Sequence, residues 1–308
     1  MNPWQRWVRF IDRREPATVL AICRILVGTI VGAHLAHAVL TGSDQLVWAD
    51  AAFGGLRTLK VPWLLEQLGG LTPDVIRRFT LASSIFAFAF AAGAFTRVSG
   101  LLALIGFRTL ADLNTHSGGS YDELLKNELF ILILSGCGSA LSIDALWRPR
   151  ATEVPAWPRY VLVFQLVLMY WSTGLQKVSA GWVPGGKADA LWYIFQQPTW
   201  HRFDMRWAAP YYPLTQLATR ATWIFAVGAP FLLRALWWRH TRTRPGWLRA
   251  QGNRLDARAL FLVWGFLMHL GIEATMEVGA FSFGSLALYV CAWHPDELAA
   301  LWRRIRGR

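Results

Sequence analysis

Apolar runs alternating with connectors into which the arginines sort constrain this chain more than any other feature. The runs cover residues 17–40, 75–95, 98–113, 124–141, 160–176, 214–233, 259–272 and 280–293. Each approaches or reaches the length that crosses the hydrocarbon core of a bilayer. Arg6, Arg9, Arg13 and Arg14 precede the first run, and Arg148, Arg150 and Arg159 surround the Pro-rich connector before the fifth. Arg239, Arg242, Arg244, Arg249, Arg254 and Arg258 fill the connector after the sixth, and Arg303, Arg304, Arg306 and Arg308 lie in the tail. Arginine-rich connectors stay on the cytoplasmic side. Eight passes put every one of them there, leave both termini cytoplasmic, and put the connectors at 41–74, 114–123, 177–213 and 273–279 outside. The expectation is an all-α polytopic bundle of about eight transmembrane helices, one domain over 1–308, in a bacterial cytoplasmic (inner) membrane.

Composition agrees once it is read by position. Hydrophobic residues make up 54% of the 308 residues, 18 are tryptophan, and the mean hydropathy is only +0.31 because the connectors are long and polar. A formal charge of +12 is of the size that attracts nucleic acid, but the arginines sit in short clusters beside apolar runs, as a topology signal does. Nucleic acid is therefore excluded as a partner. Ala36-His37-Ala38 looks like a signal-peptide cleavage site, yet the run before it is too long and contains Arg24, so a retained helix is expected. Connector 41–74 reads as amphipathic pieces on the surface. Cys23, Cys137 and Cys291 lie in or against apolar runs without CxxC or Cys/His spacing, which predicts buried free thiols and no metal.

The chemistry centres on Lys177. The run 160–176 carries no charge and ends at this lysine, followed by Trp182, the helix breakers Gly181, Pro184, Gly185 and Gly186, and an aromatic-rich segment, 191–212, suited to capping a pocket. Only four of the 31 basic residues are lysines: Lys60, Lys126, Lys177 and Lys187. A lysine sheds its proton when desolvated and an arginine does not, so Lys177 at an apolar helix end is a candidate base with a depressed pKa. The alternative is a lysine that snorkels to the headgroups beside an interfacial tryptophan. Supporting candidates are His116 in the outer connector, Glu128 in the fourth run, and His269, Glu273 and Glu277, whose spacing puts them on one helical stripe able to relay protons. The alternative there is a structural histidine with two solvated glutamates. Polar groups at one depth are cheapest in a shared aqueous pocket, so Glu128, Lys177 and His269 are expected to converge. Arg24, and Arg108 with Asp112, read as ties between helices. No zinc, phosphate-loop, GxSxG or paired-cysteine motif is present.

Three stretches carry a family resemblance. STGLQKVSAGWVPGGKA (172–188) resembles the AG-x-x-K-x-x-x-x-W-x-x-G stretch of vitamin K-dependent gamma-carboxylases and their bacterial relatives, grouped as the horizontally transferred transmembrane (HTTM) domain. Ser142-Ile143-Asp144-Ala145-Leu146 is similar to the family's S-x-D-G-L, and MHLGIEATMEVGAFSFG (268–284) to its F-H…G-x-F-S segment. The resemblance implies that Lys177 is the base that deprotonates a hydroquinone, which then reacts with oxygen to give an epoxide and a strong alkoxide base for glutamate carboxylation. It also implies that His269 belongs to the site and that the cofactor is a reduced quinone of vitamin K or menaquinol type. The chain departs from the family in two places. The family's histidine entering the fourth helix is replaced by Tyr121-Asp122, with His116 nearby, and the large lumenal domain has no counterpart, as expected of a short bacterial member.

The leading expectation is an enzyme acting at the outer membrane face on a lipid quinol or related oxygen-reactive substrate. The alternative is a non-catalytic maturation or export partner of a secreted peptide, with a transporter third. The implied partners are the bilayer and a secreted peptide or protein.

Overall fold

The computed structural model describes residues 2–147, 153–305 and 307. Arg148, Arg150, Arg306 and Arg308, four of the topology-setting arginines, lie outside these. The described residues are 73% helical, and each of the eight apolar runs is built on helix. Its contacts divide it into two compact units, 1–162 with 279–308, and 163–278.

In the first unit, α1 (Pro3–Ile11) leads through β1 (Arg14–Pro16) into α2 (Thr18–Thr41), α3 (Pro73–Ala92), α4 (Thr96–Leu113) and α5 (Ser120–Leu134). β2 (Glu153–Pro155) pairs antiparallel with β1, Glu15 opposite Val154, a two-stranded exception to the all-helical expectation. It opens α6 (Trp157–Gln176). The second unit holds most of α6 together with α7 (Tyr212–Val227), α8 (Pro230–His240) and α9 (Ala257–Thr275). The chain then returns to the first unit for α10 (Phe281–Ala287), a 3₁₀ turn Leu288–Ala292, and α11 (Pro295–Ile305).

Small residues set the helix contacts of the first unit, as they do where lipid leaves no hydrophobic drive between helices. A Cβ on Gly28 of α2 would lie 2.8 Å from the Ala91 backbone nitrogen of α3, and one on Gly106 of α4 would lie 2.1 Å from Ser83 Oγ. Ser84 Oγ adds a hydrogen bond to the Gly32 carbonyl at 2.8 Å. The hairpin of α3 and α4 turns at Gly93, φ +71°, where the carboxylate of Asp144 caps α4 by accepting from the Phe95 and Thr96 amides and Thr96 Oγ1, each at 2.8 Å. The second of the three resembling stretches thus has a physical task. Arg24, fully buried, donates to the carbonyls of Cys137 and Leu141, so it does tie helix to connector. Arg108 does not: it pairs with Asp112 within α4 at 3.2 Å, and the tie between helices is Asp112 with Lys126 of α5 at 2.9 Å. All three cysteines are buried, and none forms a disulfide among the described residues.

By length and composition, α2, α3 and α9 can each cross a membrane; the segment 206–240 makes a fourth span if its two helices, bent by 57°, count as one. The bend falls at Gly228-Ala229-Pro230, where proline removes an amide from the ladder. The remaining runs are less complete as spans: α4 carries Arg97, Arg108 and Asp112, α5 is 15 residues long, and α10 with its 3₁₀ turn is shorter still. Leu81, Ile85 and Phe88 on α3, and Leu260, Val263, Leu267 and Leu270 on α9, stand exposed, a surface suited to acyl chains rather than water.

Candidate active site

Lys177 follows the last residue of α6 in a loop that closes on itself. The Trp182 and Val183 amides donate to the Ser179 carbonyl, Ala188 N donates to Ala180 O, and Ala190 N donates to Gly181 O. Gly186 is required there, since a Cβ would lie 2.2 Å from the Ala180 carbonyl oxygen.

One stripe of α7 braces this loop. Gln216 Nε2 donates to the Lys187 carbonyl at 2.6 Å, Thr219 Oγ1 accepts from the Leu191 amide at 3.2 Å, and Trp223 Nε1 donates to the Lys177 carbonyl at 3.2 Å. A turn further on, α6 and α7 meet at Gly174, where an added Cβ would lie 2.7 Å from Val227 N and 2.8 Å from the Ala226 carbonyl carbon. Backbone atoms cannot step aside. Gly174→Ala is therefore expected to force the two helices apart, cost about 1–3 kcal/mol, and loosen the Trp223 bond that holds Lys177. Thermal unfolding of the purified protein reads the first effect, and an unchanged midpoint would contradict it.

The lysine itself is half-buried. Nζ donates to the Thr173 carbonyl at 3.1 Å and lies 5.3 Å from the centre of the Trp182 ring. Its contact with Thr173 fills an acceptor left open at the end of α6. Burial pushes the Lys177 pKa below the ordinary lysine value. Among the described residues no carboxylate is within ion-pairing distance to oppose that shift; Glu273 is held by Arg202 at 2.6 Å. The other three lysines differ. Lys126 is paired with Asp112 and Glu123, at 2.9 and 2.6 Å, and Lys60 and Lys187 are exposed.

Two turns back along α6, Tyr170 meets His269 of α9: Tyr170 Oη and His269 Nε2 are 2.6 Å apart, and both side chains are buried. Tyr170 also packs edge-on against Phe225 of α7, whose ring stacks on Phe261 of α9. The tyrosine escaped the sequence reading because nothing in its run separates it from a belt aromatic. The expected stripe of His269, Glu273 and Glu277 is cut short. α9 ends at Thr275, Met276 is extended and pairs with His201, and Glu277 leaves the helix. Arg202 binds both glutamates, Glu273 at 2.6 Å and Glu277 at 3.5 Å, so they close the segment around Arg202 onto the end of α9.

Glu128 and His116 belong to the first unit. Glu128 is fully buried, and neither carboxylate oxygen has a hydrogen-bond partner among the described residues. His116 stands exposed in its connector. At the entrance to α5, Tyr121 lies edge-on to His34 of α2, ring centres 5.6 Å apart, and both line a small cavity of about 20 Å³ with Trp48, Phe107 and Asp122. A histidine thus reaches the start of the fourth run from α2, a placement its sequence position conceals.

The HTTM domain matches residues 12–245, about three quarters of the chain. The chain belongs to the HTTM domain family. That stretch contains His116, Glu128, Lys177 and Trp182, and it ends before His269. With its candidate spans, membership makes this HTTM chain a membrane protein. No solved structure matches it.

Proposed function

We propose that this HTTM protein is a membrane-embedded enzyme in which Lys177 takes a proton from a lipid quinol of vitamin K or menaquinol type, or a related oxygen-reactive substrate. One observation carries the reading: among the described residues, Lys177 alone of the four lysines is withdrawn from solvent without a carboxylate to hold its charge. Desolvation favours the neutral amine, which keeps one N–H on the Thr173 carbonyl and has a lone pair left to receive a proton. The residues present fit a flat, hydroxylated ring: the amine accepts from a hydroxyl, and the Trp182 ring beside it offers an apolar wall. Such a ring, once deprotonated, supplies reducing power toward oxygen. The α7 brace holds the Lys177 backbone in place, and the Tyr170–His269 pair, formed between α6 and α9, offers an acid–base couple two turns back along α6. Protein in nanodiscs supplied with menaquinol under air is expected to consume the quinol faster than protein-free nanodiscs do, read as loss of the quinol spectrum. A rate equal to that of the protein-free nanodiscs at saturating quinol overturns the reading.

The same proposal includes eight spans with both termini cytoplasmic in a bacterial inner membrane, and a secreted peptide or protein as a partner. It is supported by the arginine sorting. Because the native thiols are buried, added cysteines report topology cleanly. Gly185→Cys, where a Cβ meets nothing within 4 Å, is expected to label from outside, and Thr243→Cys, in the exposed arginine connector, from inside. The reverse pattern sinks the topology.

A further inference from the structure

α1 carries an apolar stripe that the rest of the described chain leaves bare. Trp4, Trp7, Val8 and Ile11 recur at i, i+3, i+4 and i+7, the spacing of one helix face. Trp4 is 69% exposed and Trp7 54%. The helix has been built with care, for Asn2 and Gln5 close its start with a reciprocal capping box. Together with Pro155 and Trp157 the stripe lines a cleft of about 400 Å³.

The depth of that cleft is fixed from two sides. Phe10 stacks on Tyr160 in the first turn of α6, ring centres 4.7 Å apart, and the β1–β2 pair ties the end of α1 to the start of the same helix. α1 therefore lies level with the beginnings of α2 and α6, at the boundary between headgroups and acyl chains if those helices span. Indole rings favour that boundary. Charge there is mostly positive: Arg9, Arg13 and Arg14 are exposed, with Arg13 over the Phe10 ring at 5.6 Å. Asp12 also lines the cleft, and Glu15 is consumed by Arg159.

We propose that α1 lies in the membrane surface and, with Trp157, seats an anionic phospholipid. An acyl chain covers the Trp4–Trp7–Val8–Ile11 stripe, and the phosphate is held by the neighbouring arginines. An apolar stripe with tryptophans and flanking arginines is what interfacial helices use, binding by buried apolar area plus attraction to anionic lipid. The exposed Arg9, Arg13 and Arg14 of the same segment favour an anionic over a zwitterionic lipid as the occupant.

The test uses the full chain in nanodiscs with a spin label at Val8→Cys, an exposed position in a protein whose own thiols are buried. Dissolved oxygen is expected to relax the label strongly and an aqueous nickel chelate weakly, with deeper placement in phosphatidylglycerol-containing discs than in phosphatidylcholine discs. Arg9→Gln/Arg13→Gln is expected to abolish the difference between the two discs. A label open to the chelate in both discs overturns the proposal. So does a label shielded from both reagents, which would mean a protein partner or second copy, or a depth indifferent to lipid charge and to the arginines.

Discussion

Lys177→Arg is expected to lower quinol turnover by about 10²–10⁴-fold, the range general-base catalysis contributes, while Lys187→Arg leaves it nearly unchanged. Arginine keeps the positive charge and can still donate to the Thr173 carbonyl, so the closure of α6 survives the substitution. What it cannot do is lose its proton at working pH. Lys187 is exposed, and only its backbone carbonyl is engaged, by Gln216. The pH profile supplies a second readout. Burial lowers the Lys177 pKa, so the reactive neutral amine appears at a lower pH than for a solvated lysine, and the rising limb of the rate should fall below the ordinary value of about 10.4. Full function in Lys177→Arg would mean that charge alone suffices; Lys177 would then be an anchor, and the protein a non-catalytic partner in maturing or exporting a peptide.

The parts of this chain that the sequence exposes are those governed by local composition. Charge-free runs become helices because no competing structure satisfies their backbone in an apolar setting, and the break at Gly228-Ala229-Pro230 follows from proline chemistry within one turn. Lys177 is conspicuous for the same reason, as a cation rare in this chain at the end of an uncharged run. The rest depends on partners distant in sequence. Gln216, Thr219 and Trp223 read as scattered polar and aromatic positions until their common face is set against 177–191. Tyr170 is one aromatic among many until His269 stands opposite, 99 residues on. Arg202 lies 71 residues before Glu273, and its capture of that carboxylate is what a pattern of i, i+4 and i+8 could not foresee. The β1–β2 pair is equally hidden, three residues against three, with no alternation long enough to register.

That small pair leads to the second large effect. Glu15→Ala is expected to destabilise the first unit by about 3–5 kcal/mol, the usual cost of stripping one partner from a buried ion pair. Glu15 is 3% exposed, and its two oxygens accept from Arg159 Nε at 2.7 Å and Nη2 at 2.8 Å, a bidentate geometry. Arg159, itself 6% exposed, would keep, among the described residues, only the Cys291 carbonyl at 3.2 Å and the face of Tyr160 at 5.0 Å. Neither neutralises a buried guanidinium. Replacing both charges removes that penalty, so Glu15→Leu/Arg159→Met should recover most of the loss even though the Cys291 carbonyl loses its donor. Thermal unfolding of the single and double variants in one detergent measures the coupling. A double variant no more stable than Glu15→Ala would mean that the pair matters through packing of the β1–β2 junction rather than through its charge.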